Sequence, residues 1–411
     1  MNAFDLSFAE LRARRNNKWS RYGSDVLPAW VADMDFAIAP PIQTALGHLV
    51  AGHGFGYPLR NGERADRAIA NAFERRMKSR LDWTVDVELV QPVADLVQAC
   101  FASVVAFSDP SDSVVLQVPA YPPFRDAILD NGRRMIEHPL RDTGTQFALD
   151  LDALVRLIEP QTKIILFCHP QNPTGRAYGM EELRALAQVA IDHDLIVVSD
   201  EIHCDLVHAP LGHIPLACVS QEMAERTVTL SSATKGFNIA GLRCGVMHFG
   251  SQRLMQRFHQ RIPRKLLGQV GITGIDATIA AWDESQPWLD AVKQHLLEAR
   301  NHIAERVAKE LPAARMYLPQ ASYLAWIDMS ALELDEPPFD FFLEKARVAF
   351  SEGASFGPQY NNFVRLNFAT SREILDAILD RCFDAARAFQ RRRRGSNDPA
   401  TGDAILQRHK P

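Results

Sequence analysis

The stretch SSATKGFNIAGLRCG, residues 231–245, follows an apolar β-branched run and sets one lysine, Lys235, among small hydroxyl residues. An amine held in such a place can bond covalently to a carbonyl carbon, which a lysine in an ordinary polar loop has no reason to do. Three further segments also follow strand-like runs. CHPQNPTG (168–175) offers the side-chain amide of Asn172 as a donor, with Pro173 and Gly175 setting a tight turn. VVSDEIHCDL (197–206) ends a buried run on Asp200, where a carboxylate is costly unless it meets a cation. PAYPPF (119–124) presents Tyr121 as a flat aromatic surface. Taken singly, these are a surface lysine, a turn, a strand end and a packing residue.

Taken together they match the needs of pyridoxal phosphate. A lysine bonds to its aldehyde carbon, and a carboxylate keeps its ring nitrogen protonated so that the ring withdraws electrons. An aromatic ring stacks on the cofactor, an amide holds its phenolic oxygen, and hydroxyls with an arginine hold the phosphate. Other chemistries fit less well. The SxxK spacing of Ser232 and Lys235 suits a serine acyl-transferase, but the partner elements are missing: the chain has SDE at 199–201 and no KTG. His203, Cys204, Asp205, His208 and His213 match no standard zinc spacing, so no metal is expected. HGFGYP (53–58) has neither a GxGxxG pattern nor a phosphate-loop lysine.

Composition narrows the class further. The 411 residues are 47% hydrophobic and 23% charged, as in ordinary globular proteins. Forty-five basic against 50 acidic side chains give −5, which excludes nucleic-acid binding through global positive charge. The cluster Arg391–Arg394 reads as part of a solvated tail. Six dilute cysteines without a CxxC pair suggest reduced thiols and a cytoplasmic address. The opening MNAFDLSFAELRARRNNKW has no basic-then-apolar pattern, and the longest near-apolar stretch, Leu96–Phe107, is too short to span a bilayer. No membrane association is expected.

The elements that must position these residues alternate along the chain. An amphipathic helix is predicted over 64–80. Val87–Val90, Ser113–Val118, Lys163–Cys168, Leu195–Ser199, Thr227–Leu230 and Cys244–Phe249 read as strands, with helices at Leu96–Phe107 and Met180–His193. That alternation predicts an α/β fold with a mainly parallel sheet covered by helices on both faces, its chemistry at the carboxyl ends of strands. After about residue 285 the pattern becomes α+β: a helix Trp288–Glu310, strands at Tyr317–Pro319, Tyr323–Asp328 and Val364–Asn367, and helices Phe339–Ala346 and Ser371–Phe389. The expected organisation is a large domain over 46–285 and a discontinuous small domain from 1–45 and 286–390. Residues 391–411 would form a mobile tail without a core pattern.

The ordered set of motifs resembles the fold-type I pyridoxal-phosphate enzymes of the aminotransferase superfamily. The narrower resemblance is to the cystathionine β-lyase and cysteine-S-conjugate β-lyase (C–S lyase) group. It rests on LPAWVADMDF (27–36), HGFGYP (53–58), SDEIHCDL (199–206), TKGFNIAGL (234–242), QASYLAWID (320–328) and GASFG…FVRLNFATSREIL (353–375). It covers nearly the whole chain except the tail. The resemblance implies that Lys235 carries the cofactor, Asp200 faces its ring nitrogen, Asn172 its phenolic oxygen and Tyr121 its ring. It implies Ser232 and Arg243 at the phosphate, and Arg365 on the substrate α-carboxylate through a bidentate fork. Val93 and Ala94 fall where backbone N–H groups meet the phosphate, although the usual glycine is absent from QPVADLVQA. His203 stands where many aminotransferases have a tyrosine, a feature shared with the β-lyase group. Tyr57 matches a tyrosine that reaches the phosphate of the neighbouring subunit, which implies a homodimer with active sites at the interface. The implied reaction is elimination of a thiol from an S-substituted cysteine. Transamination shares the first steps and is the alternative, and a regulatory binding role on the same fold is a third.

Overall fold

The computed structural model describes residues 4–60 and 62–396. Seven strands form the central sheet: β1 (Val90–Val93), β2 (Ser113–Val118), β3 (Arg134–Pro139), β4 (Thr162–Cys168), β5 (Ile196–Asp200), β6 (Thr227–Ser231) and β7 (Gly245–Phe249). Their order is β1-β7-β6-β5-β4-β2-β3, and β7 alone runs against the rest. The β-branched runs of β2, β5 and β6 are buried along their whole length, as a sheet covered on both faces requires.

The covering helices follow from local sequence. Asp95 caps Leu96–Phe107 by accepting from the Val97 N–H at 2.7 Å. Glu182 reaches back to the Gly179 N–H at 3.0 Å at the head of Met180–Asp192, whose Leu183, Leu186, Ala187 and Ala190 form the buried stripe.

Register aligns the functional segments. Asp200 lies opposite both Cys168 and Leu230, Leu116 opposite Leu166, and Gly245 opposite Val93. The chain therefore leaves β1, β2, β4, β5 and β6, and enters β7, along one edge of the sheet.

A second sheet is antiparallel, in the order Arg315–Tyr317, Leu324–Asp328, Phe363–Asn367 and Ser351–Glu352. The N-terminal arm joins this half of the molecule, where Leu27–Pro28 pairs in parallel with Val348–Ala349. Hydrophobic clusters cross between the two halves. One contains Phe36, Phe73, Phe237, Trp288, Leu324 and Phe342, and another joins Leu166, Val198 and Phe249 to Tyr317 and Trp326.

Three differences from the sequence reading have physical causes. Val87–Leu89 is a single tight helical turn rather than a strand, because the Asp86 side chain accepts from the Glu88 N–H; pairing begins only at Val90. The edge strand β3 was not expected, since RMIEHP carries the charged Arg134 and Glu137 and fully buries only Ile136 and His138. The last helix runs Arg372–Ser396 and so takes in the arginines expected to begin the tail. Arginine is a good helix former, and Arg393 bonds the Glu333 carbonyl at 2.7 Å and lies over the Phe389 ring. The rest of that expected tail, 397–411, lies outside the described residues. Among the described residues no helix is long and apolar enough to cross a membrane.

The turn after β4 docks one half on the other. Gly175 has φ +71°, and its carbonyl accepts from the N–H groups of Gln320 and Ala321 at 2.8 and 3.0 Å. A Cβ at this position would run into the ring of Pro319. Gly175→Ala therefore combines left-handed backbone strain with a backbone clash, and should cost about 1–3 kcal/mol. A lowered urea midpoint measures that loss; an unchanged midpoint would show that the junction tolerates a side chain.

Candidate active site

A cavity of about 290 Å³ opens at the edge of the sheet where the functional segments emerge. That is close to the lower end of the ~300–1,000 Å³ usual for small-molecule sites. Lys235, Asp200, Asn172, Tyr121, Arg243 and Arg365 all line it. His203, Ser232 and Ala94 line it as well. Residues as distant in sequence as Ala94 and Arg243 thus meet because five strand ends and one strand start share an edge, and Arg365 reaches the same cavity from the second sheet.

Each side chain has a local reason for its position. Ser232 caps the short helix Ala233–Gly236 through the Thr234 N–H at 3.0 Å, and its hydroxyl donates to the Cys244 carbonyl at 2.6 Å. That turn carries Lys235, whose Nζ donates to the Ala32 carbonyl at 2.7 Å. Burial lowers the proton affinity of Lys235, and Arg365 lowers it further, against Asp33 and Asp200.

Asp200 ends β5 with one carboxylate oxygen accepting from the Ile202 N–H at 3.0 Å. Burial, the largest influence, raises its pKa to about 6; the Ile202 N–H opposes this, Glu201 adds to it and Lys235 opposes it. His203 is driven to about 3 by burial and by the charges of Lys235 and Arg365, so its ring is neutral.

Arg365 comes from the second sheet, and its guanidinium is clamped on three sides. It donates to the Asn172 Oδ1 at 2.9 Å and to the Ser351 Oγ at 3.0 Å, and it lies over the Phe356 ring at 4.7 Å. Strand register sets Ser351 directly opposite it. Burial lowers its pKa to about 10, which still leaves it charged at neutral pH. At the other end of the cavity Arg243 pairs with Asp95, and its backbone has φ +49°. A non-glycine residue held in that conformation costs ~1–3 kcal/mol, strain of the kind that clusters at functional sites.

These residues can be tested against pyridoxal phosphate by what they leave unsatisfied. The Arg365 Nε and the His203 Nδ1 are buried and have no hydrogen-bond partner among the described residues. Asp200 is an acceptor that burial has made basic, the property needed opposite a protonated ring nitrogen. Asn172, Tyr121 and Lys235 line the same cavity, as do Ser232 and Thr234, whose hydroxyls are 2.8 Å apart, and Arg243, paired with Asp95 next to Ala94. The donor set fits the cofactor.

One expected position falls elsewhere. Val93 does not line the cavity: it is buried in the ladder opposite Gly245, so Ala94 and Asp95 take the place expected for 93–94. Tyr57, expected to act on a neighbouring subunit rather than on its own chain, is 99% exposed and lines a separate groove with Arg64, Gln91 and Arg264. The His/Cys/Asp group at 203–213 disperses, with Asp205 paired to Arg76 and His213 to Glu201. Sequence reasoning missed Ala32, whose carbonyl holds Lys235, and Tyr323, whose hydroxyl donates to the same carbonyl at 3.1 Å. Both lie in segments whose pattern was noticed, LPAWVADMDF and QASYLAWID, but a backbone acceptor leaves no trace in residue type.

Comparison with known proteins gives the family to which this fold belongs. Residues 64–381 match the family model described as aminotransferase class I and II. The chain is 33% identical to the cystathionine β-lyase PatB of Bacillus subtilis over 371 residues, covering 89% of this chain and 95% of that one. A putative PLP-dependent β-cystathionase from Corynebacterium diphtheriae superposes with TM-score 0.87 at 31% identity, covering 94% and 99% of the two chains. The PLP-bound C–S lyase of Staphylococcus hominis superposes with TM-score 0.85 at 28% identity, covering 93% and 99%.

The raised pKa of Asp200 has a consequence for the cofactor-free protein. Its ionised form is disfavoured on folding, so the stability it allows is present below the ordinary carboxylate value of 3.8 and is lost as pH rises through about 6. Asp200→Asn removes that loss. The cofactor-free variant should be more stable than the parent at about pH 8, by about 3 kcal/mol, with the gain vanishing near pH 4. Thermal melts at the two pH values measure this; equal melting temperatures at high pH would contradict it.

Proposed function

The chain belongs to the aminotransferase class I and II family, and from that premise we propose that it is a pyridoxal-phosphate-dependent carbon–sulfur β-lyase. It converts S-substituted L-cysteines such as L-cystathionine to a thiol, pyruvate and ammonia. The observation that carries the reading is the convergence of Lys235, Asp200 and Arg365 on one cavity. Together they supply an amine to bond the cofactor, a carboxylate for its ring nitrogen and a cation for the substrate carboxylate. Transamination is not favoured, because nearly full-length relatives at 33% and 31% identity carry β-lyase names.

Pyridoxal phosphate, when bound, supplies an electron-withdrawing ring that takes up the electron pair of the breaking Cα–H bond. The chain does the rest. Asp200 would hold a proton on the ring nitrogen, and Asn172 and Tyr121 would fix the ring. Ser232, Arg243 and the backbone at Ala94 would hold the phosphate. Arg365 grips the α-carboxylate with a guanidinium already held by Asn172, Ser351 and Phe356, so little orientation remains to be lost on binding. The Lys235 amine would take the Cα proton. The former Cα–H electron pair then forms the Cα–Cβ double bond as the Cβ–S bond breaks with its pair going to sulfur, and the released enamine takes up water to give pyruvate and ammonia.

We further propose a homodimer in which Tyr57 reaches the partner's phosphate site. Exposure of Phe55, Tyr57 and Leu59 on one short segment supports it, since exposed neighbouring apolar side chains mark contact surfaces. Six unpaired cysteines fit a reducing, cytoplasmic setting. The division into a large unit over 46–285 and a small one from 1–45 and 286–390 is supported by the two separate sheets.

The experiment is incubation with L-cystathionine or S-methyl-L-cysteine and no keto acid. Stoichiometric pyruvate and thiol are expected; turnover that requires an added keto acid would instead establish a transaminase. Lys235→Ala should abolish both turnover and the visible absorption of the loaded protein. Arg365→Lys should raise KM and lower kcat/KM by about 10- to 100-fold, since a lysine loses both the fork and the stack on Phe356. Near-normal kinetics in that variant would remove Arg365 from the carboxylate.

A further inference from the structure

Behind the sheet, one loop holds both neighbours of Asp200. The Asp200 carboxylate lines the cavity, whereas Ser199 and Glu201 turn to the opposite face, where the Ser199 hydroxyl donates to the Glu201 Oε1 at 2.8 Å. The loop, residues 213–216, completes the set of donors. Its Leu216 N–H donates to the same oxygen at 3.1 Å, and its His213 Nε2 donates to the Glu201 Oε2 at 2.6 Å. The loop also grips the adjacent strand end. The His169 Nε2 donates to the Ile214 carbonyl at 3.1 Å, and the His169 and His213 rings lie 4.7 Å apart. The His169 backbone N–H donates in turn to the Asp200 carbonyl at 2.9 Å.

Asp200 is therefore fixed by groups that do not line the cavity: His169, Glu201, His213 and Leu216 all lie outside it. On the cavity side the Ile202 N–H occupies the Asp200 Oδ1 at 3.0 Å, which leaves Oδ2 for a ligand. Where Oδ2 points depends on how residues 200–202 leave the sheet. Glu201 pins that exit, since its N–H donates to the Leu230 carbonyl at 2.8 Å and its carboxylate is held from behind. A carboxylate only 2% exposed needs its lone pairs met, and His213 alone serves Oε2 among the described residues. The His213 Nδ1 is buried and has no partner among the described residues, so the side chain makes one hydrogen bond, to Glu201.

On the reading given above, in which Asp200 faces the ring nitrogen, we propose that His213 is a positioning residue for the cofactor. Through Glu201 it aims the Asp200 carboxylate at the ring nitrogen of pyridoxal phosphate, while touching neither cofactor nor substrate. Without the His213 donor, a buried acceptor on Glu201 is left unsatisfied and the strand end shifts to cover it. The loss falls on the ring contact and on the step in which the ring withdraws electrons. Arg365 is untouched, so kcat drops while KM holds.

A double-mutant cycle on pyridoxal phosphate affinity tests this, with the cofactor titrated into the cofactor-free protein and followed by fluorescence. His213→Phe keeps a flat ring and removes the donor, whereas His213→Gln keeps a donor near the place of Nε2. His213→Phe should weaken binding about tenfold, roughly the value of one hydrogen bond to a charged group. In the Asp200→Asn background the same change should cost less than about twofold, because the group it acts through is already gone. His213→Gln should stay within about threefold of the parent. If His213→Phe does not fold, His213→Asn, too short to reach Glu201, takes its place in the cycle. In pyruvate release from L-cystathionine, the donor-less variant should lose about tenfold in kcat with KM within about twofold. Additive losses in the cycle, equal losses with and without the donor, or parental affinity in the donor-less variant would overturn the role. So would unchanged binding in Asp200→Asn alone, which would also remove Asp200 from the ring nitrogen. A parent that shows the coupling yet releases no pyruvate would uphold the role of His213 and contradict the lyase reading.

Discussion

The structure depends on the cost of burying an amine. Lys235 lies in a site where burial lowers its proton affinity, with two carboxylates opposing that effect and a guanidinium adding to it, while a carbonyl accepts from its Nζ. Asp200 bears the mirror-image cost: its carboxyl is pushed up to about 6 by the same burial. Neither group would be retained for stability, since opposed buried charges seldom repay their desolvation. A cofactor that bonds one and bears a proton towards the other resolves both costs at once.

Sheet topology makes the arrangement possible. With β1 and β2–β6 parallel, their carboxyl ends share an edge, and the one reversed strand, β7, delivers Arg243 to that edge from the opposite direction. The second sheet contributes Arg365, and the joint at Gly175 brings Asn172 within 2.9 Å of it. Cofactor and substrate contacts thus come from different sheets, coupled through a turn that tolerates no side chain. Hydrophobic clusters that pass between the halves hold this geometry.

Much of this was legible in the sequence. Strand ends announce themselves where a β-branched run stops on a polar residue, and Asp200, Asn172 and Lys235 all follow such runs. The helix Leu96–Phe107 follows its apolar pattern to the residue, and the structure shows Asp95 capping its start. What sequence could not reveal depends on partners distant along the chain. Residues 31–36 have no periodicity, being fixed by Asn238 and Asn367 from more than 200 residues away. β3 is an edge strand whose charge hid it, and Val93 looked available only because its ladder partner, Gly245, was unknown. The arginines past residue 390 lack an apolar stripe, yet they continue a helix already nucleated by packing.

The central claim is that one particular amine carries the cofactor. Reducing the pyridoxal-phosphate-loaded protein with borohydride and mapping the resulting phosphopyridoxyl group by peptide mass spectrometry tests it most directly. A single modification on the peptide containing Lys235 is the result this account requires. Modification of a different lysine, or none after reduction, would contradict it.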